Sequence, residues 1–341
     1  NDLIALPKLG SHPQAKKLKL TETLPRTTGV YMFTDAQGEV LYVGKASNLR
    51  SRVRSYFGTN ESRTKVGSLL KLMQGIEFIQ TPDLLTAEVL ELRIIGRLRP
   101  RYNHAGTRTA KYCYVRLTTD EEWPRLMVSK TPSAKGLCIG PISTRNMATE
   151  VVDAIESVIP LRRCTVRMGR NYVAPEGAPV CSAARLGLAQ CPCSGTAEPE
   201  SYANAVQQAA DALTGKSSFV RDALTERMNA HSEAQRYEEA AYLRDRIQTF
   251  ETVLRRQEQA EKLCSQGKFT VSFDNIVYEV DNGVLASTRN ADQLFMPLSS
   301  LSKQVQEAII PPAGVHDDHG VLRNDAMDEV LCIAKFLEAQ K

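Results

Sequence analysis

The sequence predicts an α+β protein in which a small α/β domain is followed by a mixed region, a helical hairpin and a small C-terminal α/β unit. Two short β-type runs around a turn open the first domain, apolar residues at helical spacing follow them, and a long helical stretch occupies 201–262. The 341 residues, 42% of them hydrophobic, suffice for two or three cores. We predict boundaries for an arm or linker, the α/β domain, a mixed α/β region with a Cys-rich loop, the helical region and the C-terminal unit at 1–24, 25–106, 107–200, 201–262 and 263–341.

Composition excludes several classes of protein. The sequence has no run of about 18 apolar residues, and its start lacks an apolar core followed by a small-residue cleavage site. We therefore expect a cytoplasmic monomer with neither a membrane span nor a secretory leader. A net charge of +4 indicates a nucleic-acid partner only weakly. The local clusters, which solvated helix faces would also explain, are more informative: Arg50, Arg52 and Arg54, and then Arg93, Arg97, Arg99 and Arg101.

The first domain follows the order ββααβα. Residues 29–33 and 40–43 form a predicted hairpin around the turn formers Asp35 and Gly38. Apolar residues at helical spacing predict helices at 46–57, 67–73 and 84–98, the last ended by Pro100. A third strand is expected at 76–80. This pattern describes a compact α/β unit.

The remainder is read in the same way. Strands are expected at 112–117 and 125–128, a helix at 147–159, and a loop rich in Gly, Pro and Cys at 170–199. Residues 200–262 are expected to be helical throughout. Their apolar seam, at i, i+4, i+7 and i+11, is formed by Leu243, Ile247, Phe250 and Leu254. The C-terminal unit should contain strands at 270–273 and 275–280 and a closing helix at 324–339.

The chemistry-bearing residues of the first domain match what phosphodiester hydrolysis needs. That reaction requires an aligned water, a proton acceptor and positive charge for the phosphorane and the leaving oxygen. Tyr31 and Tyr42 lie on paired strands and should share a face. Glu91 lies mid-helix among apolar neighbours, where a metal ion would explain a carboxylate. Lys45, Arg52 and Tyr56 follow at i, i+7 and i+11, and Asn103 could fix the end of the element. Taken singly, a strand tyrosine or a helix glutamate is more often structural.

The joint spacing of these residues resembles the GIY-YIG nuclease family, in particular proteins of the UvrC/Cho type. The supporting phrases are GVY at 29–31, LYVGKASNLRSRVRSYF at 41–57, Glu91 and LRPRYN at 98–103. The chain departs from the family pattern at Thr28, usually Pro, and at Thr86, usually acidic. The resemblance implies damaged double-stranded DNA as the substrate and a single incision, on the 3′ side of the lesion, because no counterpart of a second nuclease domain follows residue 262.

The resemblance also implies roles for individual residues. Tyr42, aided by Lys45, would be the general base or its proton relay, and Arg52 would stabilise phosphate charge. Tyr31 and Tyr56 would position water and the scissile phosphate, Glu91 would hold Mg²⁺ or Mn²⁺, and Asn103 would order the site. A tyrosine base has an ordinary pKa of about 10, so the nearby cations and the metal would have to favour the phenolate. We further assign DNA binding to Lys45, Arg50, Arg54, Arg99 and Arg101.

Residues 228–247 resemble the UVR motif, a helical hairpin through which proteins of this type contact UvrB. Taken alone, the stretch is an ordinary amphipathic hairpin whose purpose could be purely structural. Beside the nuclease motif, partner binding becomes an equal alternative. We therefore predict UvrB as a partner, with a hairpin that packs internally and leaves one face free.

Eight cysteines in a chain expected to be intracellular argue against a disulfide framework. Cys164, Cys181, Cys191 and Cys193 resemble the four ligands of a 4Fe-4S cluster in UvrC-like proteins, although the family spaces its last two cysteines more widely. A structural zinc ion and unliganded thiols are the alternatives. The isolated Cys113, Cys138, Cys264 and Cys332 are expected in the core.

Two other functions are compatible with the sequence. One is a DNA-binding or UvrB-binding scaffold with little activity, against which the presence of every proposed catalytic residue counts. The other is a structure-selective nuclease that acts on branched DNA. The Lys-rich residues 1–24 resemble the linker of proteins in which an exonuclease domain precedes a UvrC-like half, so further chain upstream is expected.

Overall fold

The computed structural model describes residues 14–58, 64–103, 112–169, 171–290, 300–318 and 320–340. The chain divides into two compact units. The first comprises Asn1–Thr109, Leu263–Val315 and Asp328–Lys341, and the second comprises Ala110–Lys262 and His316–Met327. Within the described ranges, no helix is long and apolar enough to cross a membrane.

The predicted order ββααβα is confirmed in the first unit. The elements are β1 (Gly29–Thr34), β2 (Val40–Ala46), α1 (Leu49–Ser55), α2 (Thr64–Leu72), β3 (Gly75–Gln80) and α3 (Leu84–Leu98). The strands form an antiparallel sheet in the order β2-β1-β3. Helix α1 begins at Leu49, within the predicted range 46–57, because the Asn48 side chain accepts a hydrogen bond from the Ser51 amide and caps the helix there.

The central strand β1 is buried on both faces, so side chains alternate between two cores. Val30 and Met32 point toward α3 and share a core with its residues Ala87, Ile94 and Ile95. Tyr31 and Phe33 point the other way, into a core with α1 and α2. This alternation places the tyrosines of the hairpin together on one side of the sheet.

The later part of the predicted arm packs against the first unit. Residues Ala15–Thr21 form a 3-10 helix, and both Thr21 and Leu24 are buried. The Lys17 ammonium donates to the carbonyl oxygens of Leu70 and Met73 at 2.8 and 2.6 Å. Its single cation thus caps the end of α2, an anchor that composition alone could not indicate. The prediction for residues 1–13 lies outside the described residues.

The second unit holds an antiparallel sheet in the order β5-β4-β6, covered by helices. Its elements are β4 (Cys113–Leu117), β5 (Leu126–Ser129), β6 (Leu137–Ile142), α4 (Arg145–Glu156), α5 (Ser182–Arg185), α6 (Pro199–Leu213), α7 (Phe219–Glu233) and α8 (Tyr237–Ser265), the last of which continues into the first unit. Strand β6 and the short α5 were not predicted. Helices α6, α7 and α8 fill the predicted helical region, with turns at 214–218 and 234–236 between them. The second turn lies within the predicted hairpin at 228–247.

The apolar seam of α8 packs as predicted. Phe250 is buried in the core of the second unit, and Leu243, Ile247 and Leu254 pack against the same core. Helix α4 begins at Arg145, two residues before the predicted start, because the Thr144 hydroxyl accepts a hydrogen bond from the Met147 amide.

The C-terminal segment contributes a second sheet to the first unit. Strands β7 (Lys268–Phe273), β8 (Ile276–Asp281) and β9 (Val284–Asn290) form a meander, followed by α9 (Lys303–Ala308) and α10 (Asn324–Ala339). The closing helix is confirmed. Strand β9 and helix α9 were missed, since α9 is too short for helical periodicity to be visible.

Candidate active site

Three tyrosines and Phe33 form an aromatic cluster on one face of the first sheet. In the strand register Phe33 is opposite Tyr42 and Tyr31 is opposite Gly44, so the two strand tyrosines are diagonal neighbours. The ring of Tyr31 lies 6.2 Å from the rings of both Tyr42 and Tyr56. The prediction that Tyr31 and Tyr42 share a face is confirmed.

Two glycines of the motif are required by close approach. A Cβ atom at Gly44 would overlap the Tyr31 hydroxyl, and a Cβ atom at Gly29 would overlap the carbonyl oxygen of Ile79 on the neighbouring strand. Only glycine lets the tyrosine ring lie across the sheet and lets β1 approach β3 this closely.

Two hydroxyls of the cluster are hydrogen-bonded to each other, and a cation lies beside one of the rings. The hydroxyl oxygens of Tyr31 and Tyr56 are 2.9 Å apart, and the Arg52 guanidinium lies 5.3 Å from the centre of the Tyr56 ring. Burial raises the pKa of Tyr31 to about 12, against the opposing effects of Tyr56 and Arg52. Burial also raises the pKa of Tyr42, and Tyr56 raises it further. The arrangement therefore presents neutral hydroxyls beside one permanent positive charge.

Glu91 and Lys45 meet at the edge of this cluster. The Glu91 Oε1 atom accepts a hydrogen bond from the Lys45 amide at 3.1 Å, and the Lys45 ammonium is 3.8 Å from Oε2 of the same carboxylate. Burial raises the pKa of Glu91, and Lys45 opposes that shift. The carboxylate also helps to raise the pKa of Tyr42, so the two groups are electrostatic neighbours.

Glu88 is a member of the site that the sequence reading missed. It lies one turn before Glu91 on α3, and its Oε2 atom is 2.7 Å from the Lys45 ammonium, closer than Glu91. The i, i+3 spacing of the two glutamates was the available signal. The Lys45 ammonium, predicted to aid Tyr42, contacts both carboxylates.

Asn103 closes the site by bonding to the backbone of β2. Its Oδ1 atom accepts from the Val43 amide and its Nδ2 atom donates to the Val43 carbonyl, both at 2.8 Å. The buried amide thus pairs with the strand between Tyr42 and Gly44.

The arginines assigned to DNA binding occupy different environments. The Arg50 guanidinium donates to the backbone carbonyl oxygens of Leu24, at 2.7 Å, and of Glu22, so Arg50 fastens residues 22–24 to α1. Arg54 is half-buried, whereas Arg99 and Arg101 are exposed. Arg99 ends α3 in a left-handed conformation with a φ of 49°.

The oxygen donors of this site suit a hard divalent cation that keeps several waters better than an ion enclosed entirely by protein ligands. Among the residues that the structure describes, no group of three or more His, Cys, Asp or Glu side chains forms a metal site. Mg²⁺ is commonly bound through one or two carboxylates together with waters and substrate phosphates. Glu91, one-fifth exposed at its side chain, meets that requirement as a single oxygen ligand.

The four candidate cluster cysteines lie together in the second unit, and two of them are closer to each other than two ligands of one metal ion would be. The Sγ atoms of Cys191 and Cys193 are 2.9 Å apart, less than the roughly 3.8 Å between two thiolates on one tetrahedral zinc with Zn–S bonds of about 2.3 Å. Burial and Cys191 raise the pKa of Cys193 to about 12, with contributions from Cys164 and Cys181. All four thiols are therefore electrostatic neighbours. Of the other cysteines, Cys113 and Cys264 are buried as predicted, whereas Cys138 and Cys332 are half-buried.

Comparison with known proteins identifies the region that contains the tyrosine cluster. A family model described as a UvrC-like GIY-YIG domain matches residues 27–104, which include the whole tyrosine cluster, Arg52, Glu91 and Asn103. The chain carries a UvrC-type GIY-YIG domain. The UvrC-type domain is followed by matches to the UvrC/Cho excinuclease middle domain at 112–212 and to the UvrB/uvrC motif at 220–253.

Relatives of the chain are named UvrABC system protein C. The protein from Syntrophus aciditrophicus is 36% identical over 234 residues, which are 68% of this chain and 37% of that protein. The protein from Caldanaerobacter subterraneus is 34% identical over 71% of this chain and 39% of its own length. The chain thus spans about two fifths of the length of these curated relatives.

Among solved structures, the N-terminal endonuclease domain of UvrC from Thermotoga maritima, bound to magnesium, is 33% identical to the UvrC-type domain. The match covers 26% of this chain and 94% of that domain, with a TM-score of 0.23.

Proposed function

We propose that this chain is a metal-dependent DNA endonuclease that cuts the damaged strand once, on the 3′ side of a lesion. The observation that carries the proposal is the arrangement of Arg52, the linked hydroxyls of Tyr31 and Tyr56, and Glu91 beside Tyr42. Positive charge, neutral hydrogen-bond donors and a metal-binding carboxylate are the elements that phosphodiester hydrolysis needs.

Each residue has a task in that reaction. The Arg52 guanidinium would bind a phosphate oxygen and stabilise charge as the phosphorane forms. Tyr31 and Tyr56 would donate hydrogen bonds that align the phosphate and the attacking water. Glu91 would hold Mg²⁺ or Mn²⁺, which supplies positive charge to the scissile phosphate and the leaving oxygen. Lys45, held between Glu88 and Glu91, would keep the metal-binding carboxylate oriented.

The proton of the attacking water would pass to Tyr42. Burial raises the pKa of the Tyr42 hydroxyl, and the opposing effect of Arg52 is too small to cancel that rise. A phenolate at neutral pH therefore requires the additional positive charge of the bound cation and the substrate-bound state. Until then Tyr42 is a neutral hydroxyl that can relay a proton.

The α7–α8 hairpin is our proposed UvrB-binding element. Its inner face packs in the second unit, whereas Tyr237 and Tyr242 on α8 are 65% and 55% exposed. Large aromatic side chains on an exposed helix face suit a protein partner. Tyr237→Ala should weaken UvrB capture, and Leu186→Ala, which alters a side chain that is 73% exposed elsewhere in the unit, should not.

We also propose that Cys164, Cys181, Cys191 and Cys193 hold a 4Fe-4S cluster, with structural zinc as the alternative. Support comes from the mutual electrostatic influence of the four thiols around Cys193. Binding would require the Cys191 and Cys193 sulfurs to separate from 2.9 Å. Anaerobically purified protein should contain iron and sulfide that Cys193→Ser loses, and zinc in their place would support the alternative.

Cleavage of end-labelled substrates tests the main proposal. A duplex with one lesion, labelled at either end of the damaged strand, is incubated with Mg²⁺ or Mn²⁺, with and without UvrB. We expect one cut on the 3′ side, lost in Arg52→Met and retained in Arg145→Met, which removes an exposed arginine of the second unit. Paired cuts around the lesion would overturn the proposal. Preference for an undamaged branched duplex would favour a structure-selective nuclease, and DNA binding without cleavage would favour a scaffold.

A further inference from the structure

The C-terminal segment 263–341 lies beyond the three family matches, which end at residue 253. Its described residues nevertheless complete the core of the UvrC-type domain. Leu301, Val305, Ala308 and Ile309 are buried in one cluster with Ala87, Ile94 and Ile95 of α3 and with strand residues of the first sheet. Apart from His316–Met327, which belong to the second unit, the segment is therefore part of the nuclease unit rather than an appendage.

A buried ion pair fastens this segment to α3. The Arg93 Nε and Nη2 atoms donate to the two Glu329 carboxylate oxygens at 2.9 and 2.6 Å, and both side chains are less than 10% exposed. Both side chains of the pair also make hydrogen bonds to backbone groups. Arg93 also donates to the carbonyls of Leu285 and Ile309, and Glu329 accepts from the Leu285 amide at 2.8 Å. A bidentate pair with this many partners fixes geometry more narrowly than apolar packing does.

Further polar contacts reach both ends of α3. At its start, the Asp83 carboxylate accepts from the Tyr278 hydroxyl at 2.6 Å. Toward its end, the Arg97 guanidinium donates to the carbonyl oxygens of Glu307 and Ala308 at 2.7 and 3.0 Å. The helix is held along its whole length by residues of the C-terminal segment.

The positions of Arg93 and Glu91 on α3 connect the ion pair to the proposed metal ligand. Residues two apart on an α-helix point about 200° from one another, so Arg93 and Glu91 leave α3 on opposite sides. Glu91 faces Lys45 and the tyrosine cluster, while Arg93 faces β9 and α10. A rotation or shift of the helix at Arg93 would thus displace the Glu91 carboxylate.

We propose that Arg93 and Glu329 are positioning residues that set the orientation of α3 and thereby the metal affinity of Glu91. This inference rests on the proposed function, because it assumes that Glu91 binds the cation. Groups that orient a metal ligand without touching the ion commonly change affinity or activity about 10- to 100-fold when they are altered. A displacement of the ligand by about 1 Å suffices for effects of that size.

A measurement of Mn²⁺ binding, made through the electron paramagnetic resonance signal of the free ion, tests the proposal without relying on cleavage. The full chain is compared with Glu329→Gln, Glu91→Gln and Glu307→Gln, the last of which removes only an exposed carboxylate of α9. We expect Glu329→Gln to weaken Mn²⁺ binding about tenfold. Glu91→Gln should abolish the site, and Glu307→Gln should match the wild type.

Each outcome separates the two claims. Wild-type affinity in Glu329→Gln, together with loss in Glu91→Gln, would overturn the positioning role and leave the nuclease proposal standing. Equal binding by the wild type and Glu91→Gln would overturn both. If circular dichroism shows that Glu329→Gln is unfolded, Arg93→Lys, which keeps the charge but loses the bidentate fork, replaces it. Wild-type affinity in that variant would equally contradict the proposal.

Discussion

The hydroxyl oxygens of Tyr31 and Tyr56 lie 2.9 Å apart, although 25 positions separate the two residues in the sequence. The bond joins the first strand to the end of α1, and Arg52 on the same helix lies against the Tyr56 ring. A strand hydroxyl, a helix hydroxyl and a guanidinium therefore form one hydrogen-bonding surface. Its geometry depends on the packing of α1 against the sheet.

Removal of one hydroxyl from this pair should slow cleavage more than it destabilises the fold. Tyr56→Phe leaves the ring in the core and costs about 1 kcal/mol of unfolding free energy for the lost bond. The single-turnover cleavage rate should fall about 10- to 100-fold, because phosphate alignment loses a donor. Tyr102→Phe, a hydroxyl deletion elsewhere in the unit, should leave the rate unchanged. Equal rates for the two variants would remove Tyr56 from the site.

The pH dependence of cleavage tests the role of Tyr42. Because burial raises the pKa of its hydroxyl, the phenolate fraction is small at neutral pH and grows as the pH rises. At saturating metal, the wild-type rate should increase by up to about tenfold per pH unit between about pH 6 and 9. Tyr42→Phe should lose both the rate and the slope. A flat wild-type profile, or the same slope in Tyr42→Phe, would exclude Tyr42 as the proton acceptor.

As the pH falls, metal binding should weaken at a higher pH than it would at an ordinary glutamate. Burial raises the pKa of Glu91 above 4.5, and the protonated carboxyl does not bind the cation. The Mg²⁺ concentration for half-maximal cleavage should thus rise as the pH falls toward that raised value. Glu88 contributes to the raised pKa, so Glu88→Gln should make the metal dependence less sensitive to acid. Greater sensitivity in Glu88→Gln would contradict this electrostatic coupling.

Asn103 should matter first for the stability of β2. Asn103→Ala leaves the buried Val43 amide and carbonyl without these partners, at a cost of about 2 kcal/mol in unfolding free energy. Denaturant titration of the variant should show a larger loss than Asn48→Ala, which removes a helix cap worth about 1 kcal/mol. If Asn103→Ala is the milder change, the Val43 contacts do not anchor the strand.

The local pattern predicted the elements of the UvrC-type domain well. Alternation along β1 placed Tyr31 and Phe33 on one face, and helical spacing gave the bounds of α3 as they stand. Such features depend on neighbours within a few residues, so the sequence contains them directly. The approach of Tyr56 to Tyr31 was not predicted from the local pattern, and only the resemblance gave both residues a role at the scissile phosphate.

Contacts between distant residues were not predictable in the same way. Nothing near Arg93 in the chain indicates Glu329, which lies 236 positions away, and Lys17 gave no sign that it would cap α2. Arg93 was grouped with the exposed cations because burial of an arginine depends on a partner that pattern cannot supply. The short α9 and the break between α6 and α7 were not predicted, because turns in polar helical sequence leave little trace.

The central claim is that Glu91 makes cleavage depend on a divalent metal ion. Single-turnover cleavage of the lesion duplex is measured across a Mg²⁺ titration for the wild type, Glu91→Gln and Glu39→Gln, an exposed control in the hairpin turn. DNA binding is followed in parallel by fluorescence anisotropy. We predict saturable cleavage by the wild type and Glu39→Gln, and none by Glu91→Gln despite unchanged DNA binding. Equal cleavage by the wild type and Glu91→Gln would contradict the account.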